Sequence, residues 1–197
     1  MVKPDFFLVG APKCGTTALF QYLCMHPDVC APAIKEPNYF CEDFSGIRGP
    51  RSEAEYLALY AEAEESGRSV GDASVVYMYS DVALKRIAEF NPAAKIIVML
   101  RNPVDMVYSL HSQHLFTLNE NVSDFSAAWE LQSARREGSN IPKMCLEPAV
   151  LQYETMGRMS KGIRRALAVF PDEQIKVLLI DEIKAAPQET FDDVLGF

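Results

Sequence analysis

The apolar run Phe6-Phe7-Leu8-Val9 leads straight into Gly10-Ala11-Pro12-Lys13-Cys14-Gly15-Thr16-Thr17, and apolar residues at helical spacing (Leu19, Phe20, Leu23) follow at once. A short continuous apolar run ending in glycine reads as a buried strand. The next segment reads as a helix stopped by Pro27, with His26 as its C-terminal cap. Strand, glycine-bearing turn and helix in that order converge backbone N–H groups and the positive end of a helix dipole on one point. Gly10 and Gly15 permit a tight turn and a close approach to an anion. Thr16 and Thr17 add hydroxyl donors, and Lys13 adds a full charge inside the turn. The segment predicts a phosphate site.

It is not a Walker A loop. That pattern, GxxxxGK[ST], is met at both glycines and at Thr17, but Thr16 stands where its lysine belongs and the lysine has moved to position 13. An NTPase lysine reaches the β- and γ-phosphates from the start of the helix, so this class is disfavoured. One feature points the other way. Val177-Leu178-Leu179-Ile180-Asp181-Glu182 looks like a magnesium-binding strand end. A buried strand with a solvated acidic turn explains it equally well, and is preferred without a Walker A partner.

The rest of the chain alternates strand and helix. Ser52-Glu53-Ala54-Glu55 is a capping box predicting a helix over 52–65, ended by Gly67. Residues 30–50, rich in proline, glycine and aromatics, read as irregular. A short strand is predicted over 69–73, and buried strands over 95–100 and 175–180. Helices are predicted over 81–90, 103–118 (Asn102 as cap, Pro103 first), 123–137, 149–170 (weakened at Gly157 and Gly162) and 187–195. Continuously apolar strands between helices imply a parallel sheet covered on both faces, a three-layer α/β/α fold, with 1–197 as one domain.

Composition narrows the function. A formal net charge of −8 disfavours nucleic acid as a partner, because phosphate backbones need basic surfaces. The five cysteines are odd in number and lack CxxC spacing, so neither a disulfide framework nor a metal site is expected. Free thiols, the lack of an apolar leader and the lack of a membrane-length apolar run lead to a cytoplasmic expectation. The triplet Asn121-Val122-Ser123 matches a glycosylation sequon of the kind that arises by chance. Oligomeric state is left open.

A lysine at the inner loop position followed by Gly15-Thr16-Thr17 resembles the 5′-phosphosulfate loop of sulfotransferases that use 3′-phosphoadenosine 5′-phosphosulfate (PAPS). Lys95-Ile96-Ile97-Val98-Met99-Leu100-Arg101-Asn102-Pro103, with Ser109 beyond it, is similar to that family's 3′-phosphate site. Lys35-Glu36-Pro37-Asn38-Tyr39-Phe40 is similar to the KEP-x-x-F stretch of bacterial and heparan-type members, and 177–197 to their late region. The resemblance implies a P-loop-like sulfotransferase fold and PAPS as cosubstrate, without a metal. It implies Lys13, Cys14, Gly15, Thr16, Thr17, Arg101 and Ser109 as cosubstrate-binding residues. Lys13 would stabilise the leaving group, and Glu36 would be the general base. The acceptor is left open: a carbohydrate, lipid or small alcohol, a polyketide or a peptide.

The sequence departs from the pattern twice. Gly71-Asp72-Ala73-Ser74 stands where related chains carry Glu-Lys-Ser-Pro, and the chain stops at Phe197 where family domains continue. The expectation is a sulfotransferase domain lacking its C-terminal portion. The alternatives are a P-loop kinase or ATPase using Asp181, and a truncated nucleotide-binding protein without catalysis. Among other residues, His111 and His114 are candidate bases, though exposure on their helix is the simpler expectation. Trp129 is expected in the core. Arg135-Arg136 and Arg164-Arg165 are expected on solvated helix faces.

Overall fold

The computed structural model describes residues 2–30, 32–64 and 67–197. Five parallel strands form one sheet in the order β2-β3-β1-β4-β5. They are β1 (Phe6–Gly10), β2 (Val29–Cys30), β3 (Ser69–Asp72), β4 (Lys95–Leu100) and β5 (Ile175–Leu179). Phe6 lies opposite Gly71 on one side and Lys95 on the other, while Ile96 faces Ile175. Every residue of β1 is buried, and so are Ile96, Ile97, Val98 and Met99 of β4. Side chains on both faces of these strands are therefore covered, which explains why their sequences do not alternate. Each such side chain contributes about 1.5–3 kcal/mol of burial.

The helices are α1 (Thr16–Met25), α2 (Glu53–Ala58), α3 (Ala83–Phe90), α4 (Pro103–Phe116), α5 (Phe125–Glu130), α6 (Gln132–Arg136), α7 (Tyr153–Gly157), α8 (Ser160–Leu167), α9 (Ile180–Ala185) and α10 (Pro187–Gly196). Chain order and sheet order together create the functional edge. After β1 the chain builds β2 and β3 to one side, then crosses to build β4 and β5 on the other. The reversal lies between β1 and β4, and a crevice at the carboxyl ends of strands flanking such a reversal is where open α/β sheets take ligands. The turn from Gly10 to Gly15 and residue Arg101 both emerge there.

Several elements differ from expectation. β2 is a two-residue strand, not expected from the sequence, at the entry to the segment read as irregular; its pairing with Ser69 and Val70 of β3 creates it. β5 is an edge strand, with Val177 42% and Leu179 45% exposed, because no strand pairs beyond it among the described residues. α2 ends at Ala58 and a 3-10 turn follows at Ala61–Ala63, while the predicted end at Glu65 lies outside the described residues. The helix predicted over 123–137 breaks at Leu131 into α5 and α6. The one over 149–170 becomes a 3-10 turn at Pro148–Leu151, then α7 and α8, with the break after Gly157 as its low helix propensity suggests. Gly162 does not break α8. A Cβ there would collide with the Met78 side chain, so the glycine serves close packing.

Arg135 corrects an expectation outright. It is 1% exposed, and its guanidinium forks onto both oxygens of the equally buried Glu120, at 2.6 Å each. Tyr153 and the N–H groups of Asn121 and Val122 also donate to Glu120. Burial pushes this carboxyl up, but the Arg135 fork and the other donors outweigh it and bring it to about 2. Arg136 is exposed and donates to Gln152; Arg165 pairs with Asp81. Trp129 is partly buried and packs against the core cluster.

Candidate active site

The turn after β1 has the backbone its sequence requires. Gly15 takes φ 87°, a left-handed conformation that favours glycine, and is the N-terminal cap of α1. Lys13 also has positive φ, 61°. Left-handed residues within such a turn direct neighbouring N–H groups into one concavity. α1 has no side-chain cap and no acid in its first turn, so its leading N–H groups and dipole are offered to a ligand.

Arg101 follows the last residue of β4. Its Nη1 lies 3.4 Å from the Lys13 carbonyl, to which it donates, and its Nη2 is 3.8 Å from Asp105. Asn102 caps α4 by accepting from the N–H of Val104 and Asp105 at 2.9 and 3.5 Å, with Pro103 at the first helical position. That cap fixes where the helix begins. Ser109, about two turns along, thereby faces the same space as Arg101.

A cleft of about 500 Å³ collects these groups. Lys13, Gly15, Thr16, Thr17, Glu36, Arg101 and Ser109 all line it. Cys14 does not: its side chain is in the core, where burial pushes the thiol up to about 11, partly offset by Arg101 and the Ala11 backbone. Any contact of Cys14 with an anion must come from its backbone. Glu36 sits on the loop after β2 with φ 57°, and its Oε1 accepts from Lys35 Nζ at 2.7 Å.

Neither candidate histidine is exposed. His111, 3% exposed, has Nε2 2.8 Å from the Val122 carbonyl and does not line the cleft. His114 does line it, at 7% exposure, and its Nε2 has no hydrogen-bond partner. Burial lowers the His114 ring to about 4, aided by His111 and Lys13 and opposed by Val150 and Glu120. The signal for its burial was readable, since Met106, Leu110 and His114 repeat every four residues along α4. Asp181, the acid of the alternative reading, is exposed in the first turn of α9 and paired with Lys184. A buried acid, Asp72, closes β3 near the Glu36 loop. Its role was not legible in the sequence, because a lone aspartate carries no local mark of burial.

Among the described residues, no group of three or more His, Cys, Asp or Glu is placed to hold a metal ion, and no helix is long and apolar enough to cross a membrane.

Comparison with known proteins places the whole chain among relatives. Carbohydrate sulfotransferase 15 of Rattus norvegicus is 30% identical, over 98% of this chain and 43% of its own length. The bifunctional heparan sulfate N-deacetylase/N-sulfotransferase 3 of Homo sapiens is 27% identical, over 98% of this chain and 22% of its own length. This chain thus spans under half the length of those relatives. The crystal structure of a sulfotransferase from Alicyclobacillus acidocaldarius superposes with a TM-score of 0.86 at 30% identity, covering 100% of this chain and 81% of that one. The sulfotransferase domain of the curacin biosynthetic pathway, at TM-score 0.61 and 14% identity, shares the fold. Residues 3–197 match the sulfotransferase domain family model, and the chain belongs to that family.

Proposed function

We propose that this chain transfers the sulfuryl group of PAPS to a hydroxyl or amine of a carbohydrate. The observation that carries the reading is the meeting of Lys13, Arg101, Ser109 and Glu36 in one cleft. About 500 Å³ is within the range of nucleotide-sized pockets. The residues suit a doubly phosphorylated nucleotide. The uncapped α1 terminus and the N–H groups of Gly15, Thr16 and Thr17 suit the 5′-phosphate. Arg101 offers a planar fork and Ser109 a hydroxyl to the 3′-phosphate. PAPS supplies the activated sulfuryl group.

As the acceptor atom bonds to sulfur, the bond from sulfur to the 5′-phosphate oxygen breaks and leaves its electron pair on that oxygen. Lys13 is available to neutralise this charge. Glu36 takes the acceptor proton. His111 is committed to the Val122 carbonyl and is not our base. A carbohydrate acceptor rests on the two relatives named for carbohydrate and heparan sulfate. Five cysteines, odd in number and without CxxC spacing, agree with the reducing, cytoplasmic setting we also propose.

Calorimetric titration with adenosine 3′,5′-bisphosphate tests nucleotide binding, followed by labelled PAPS with N-desulfated heparan oligosaccharide, a neutral hexose and a long-chain alcohol. Binding that Arg101→Ala abolishes, with label moving to a saccharide, is the expected outcome. Magnesium-dependent ATP turnover without sulfuryl transfer would replace this reading with the kinase one. Nucleotide binding without transfer to any acceptor would leave a non-catalytic binder.

A further inference from the structure

Asp72 closes β3 with a carboxylate that is 0% exposed and does not line the cleft. Its Oδ1 accepts from the Ser74 hydroxyl at 2.7 Å, and its Oδ2 from the Tyr56 and Tyr77 hydroxyls at 2.8 and 3.0 Å. Two of these hydroxyls also touch the loop that carries Glu36. Ser74 Oγ accepts from the Asn38 N–H at 3.1 Å, and Tyr77 Oη from the Phe40 N–H at 3.5 Å. Asn38 then donates from Nδ2 to the Glu36 carbonyl at 2.8 Å.

The direction of these bonds follows from the chemistry of the groups. A hydroxyl has one proton, and an ionised carboxylate only accepts. Ser74 and Tyr77 must spend their protons on Asp72, which leaves lone pairs facing the loop N–H groups. The loop needs such restraint, because Glu36 and Asn38 both hold positive φ, 57° and 54°. Left-handed non-glycine residues are strained, more so at Glu36 than at Asn38, and persist where their surroundings enforce them.

We infer that Asp72 is a positioning residue for Glu36, acting through the Ser74 and Tyr77 hydroxyls that it orients toward the Asn38 and Phe40 backbone. The inference rests on the reading of Glu36 as the base. The groups facing Asp72 are Tyr56 from α2, Tyr60 from the start of the 3-10 turn that follows it, Tyr77 from the segment after β3, and Glu36 and Cys41 from the loop. Burial raises the Asp72 carboxyl to about 6; Ser74, Tyr56 and Tyr77 hold it back and Glu36 adds to the rise. Below that pH it gains a proton and becomes a donor, so the hydroxyl alignment fails.

The test combines Ser74→Ala, Tyr77→Phe, Asp72→Asn and Glu36→Gln. Turnover of labelled PAPS is followed on N-desulfated heparan oligosaccharide, and amide exchange by NMR. Ser74→Ala and Tyr77→Phe each remove one tie and keep the carboxylate, so they report even if Asp72→Asn fails to fold. They should speed exchange at Asn38 and Phe40 but not at Gly15 to Thr17. They should also lower kcat about ten- to hundredfold with adenosine 3′,5′-bisphosphate affinity unchanged. Asp72→Asn should do the same and move the acid limb of the kcat profile to lower pH, whereas Ser74→Ala keeps that limb. Added to Glu36→Gln, Asp72→Asn should cause no further loss. Unchanged kcat and exchange in the single variants, or a full additional loss in the double variant, would overturn the positioning role. Full activity in Glu36→Gln would instead remove the base reading beneath it, and the exchange data would still report whether Asp72 orders the loop.

Discussion

Lys13 and Arg101 reach one cleft from two neighbouring strands, 88 residues apart in sequence. Replacing Lys13 with alanine should reduce PAPS turnover about 10²- to 10³-fold with an unchanged circular dichroism spectrum, the scale of removing one donor to a developing negative charge. Turnover within a few-fold of wild type would show that the leaving oxygen is neutralised elsewhere. Arg101→Lys keeps the charge and loses the fork. It should weaken adenosine 3′,5′-bisphosphate by about tenfold in calorimetry, while equal affinity would mean a point charge suffices. Both residues were legible in the sequence because each sits at the boundary of a short, strongly patterned element. Arg135 was not: nothing local distinguishes an arginine bound for Glu120 from a solvated one, and the partner is fifteen residues away.

At the scale of elements, α4 brings Ser109, Leu110, Gln113 and His114 to the cleft, and its start depends on Asn102. Asn102→Ala removes the cap and should lower stability by about 1 kcal/mol in urea titrations. It should also weaken nucleotide binding, since Ser109 is aligned by the helix that Asn102 begins; a stability loss with unchanged affinity would separate the two. Gly162 in α8 makes a different demand. Gly162→Ala drives a methyl into Met78 and should cost about 1–3 kcal/mol by overpacking, despite the better helix propensity of alanine. A stabilised variant would mean that Met78 moves aside freely. Strands β1 and β4 and helices α1, α3 and α4 were readable from periodicity and caps. β2 and the division of 149–170 were not, because a two-residue strand exists only through its neighbour and Tyr153 belongs to the packing around Glu120.

For the whole molecule, three buried groups set the response to acid. His114 sits near 4 in the fold against 6.5, so the unfolded chain binds more protons and stability falls as pH drops through that window. Asp72 is raised from 3.8 to about 6, so its contribution is present below 3.8 and lost as pH rises through 6. These two oppose each other between about pH 4 and 6. Glu120, lowered from 4.5 to about 2, contributes stability above 4.5 that is lost as pH falls toward 2. The melting temperature should therefore change little between pH 6 and 4.5 and fall steeply below it. A steady decline from pH 6.5 would show that Asp72 does not titrate as described. Glu120→Ala leaves Arg135 buried and unpaired, and should cost about 3–5 kcal/mol at pH 7 by urea unfolding.

The sequence by itself determined what short-range chemistry can write: the turn from Gly10 to Gly15, the capped helix after Arg101, the alternation that makes a parallel sheet, and the resemblance carried by those segments. Tertiary structure alone decided which groups became neighbours. It turned the Cys14 thiol into the core, buried His114 beside the cleft, paired Glu120 with Arg135, and put the Asp72 carboxylate under the Glu36 loop. The physical reason is that burial and hydrogen bonding of a polar side chain depend on partners supplied by distant strands, and a local pattern carries no record of them.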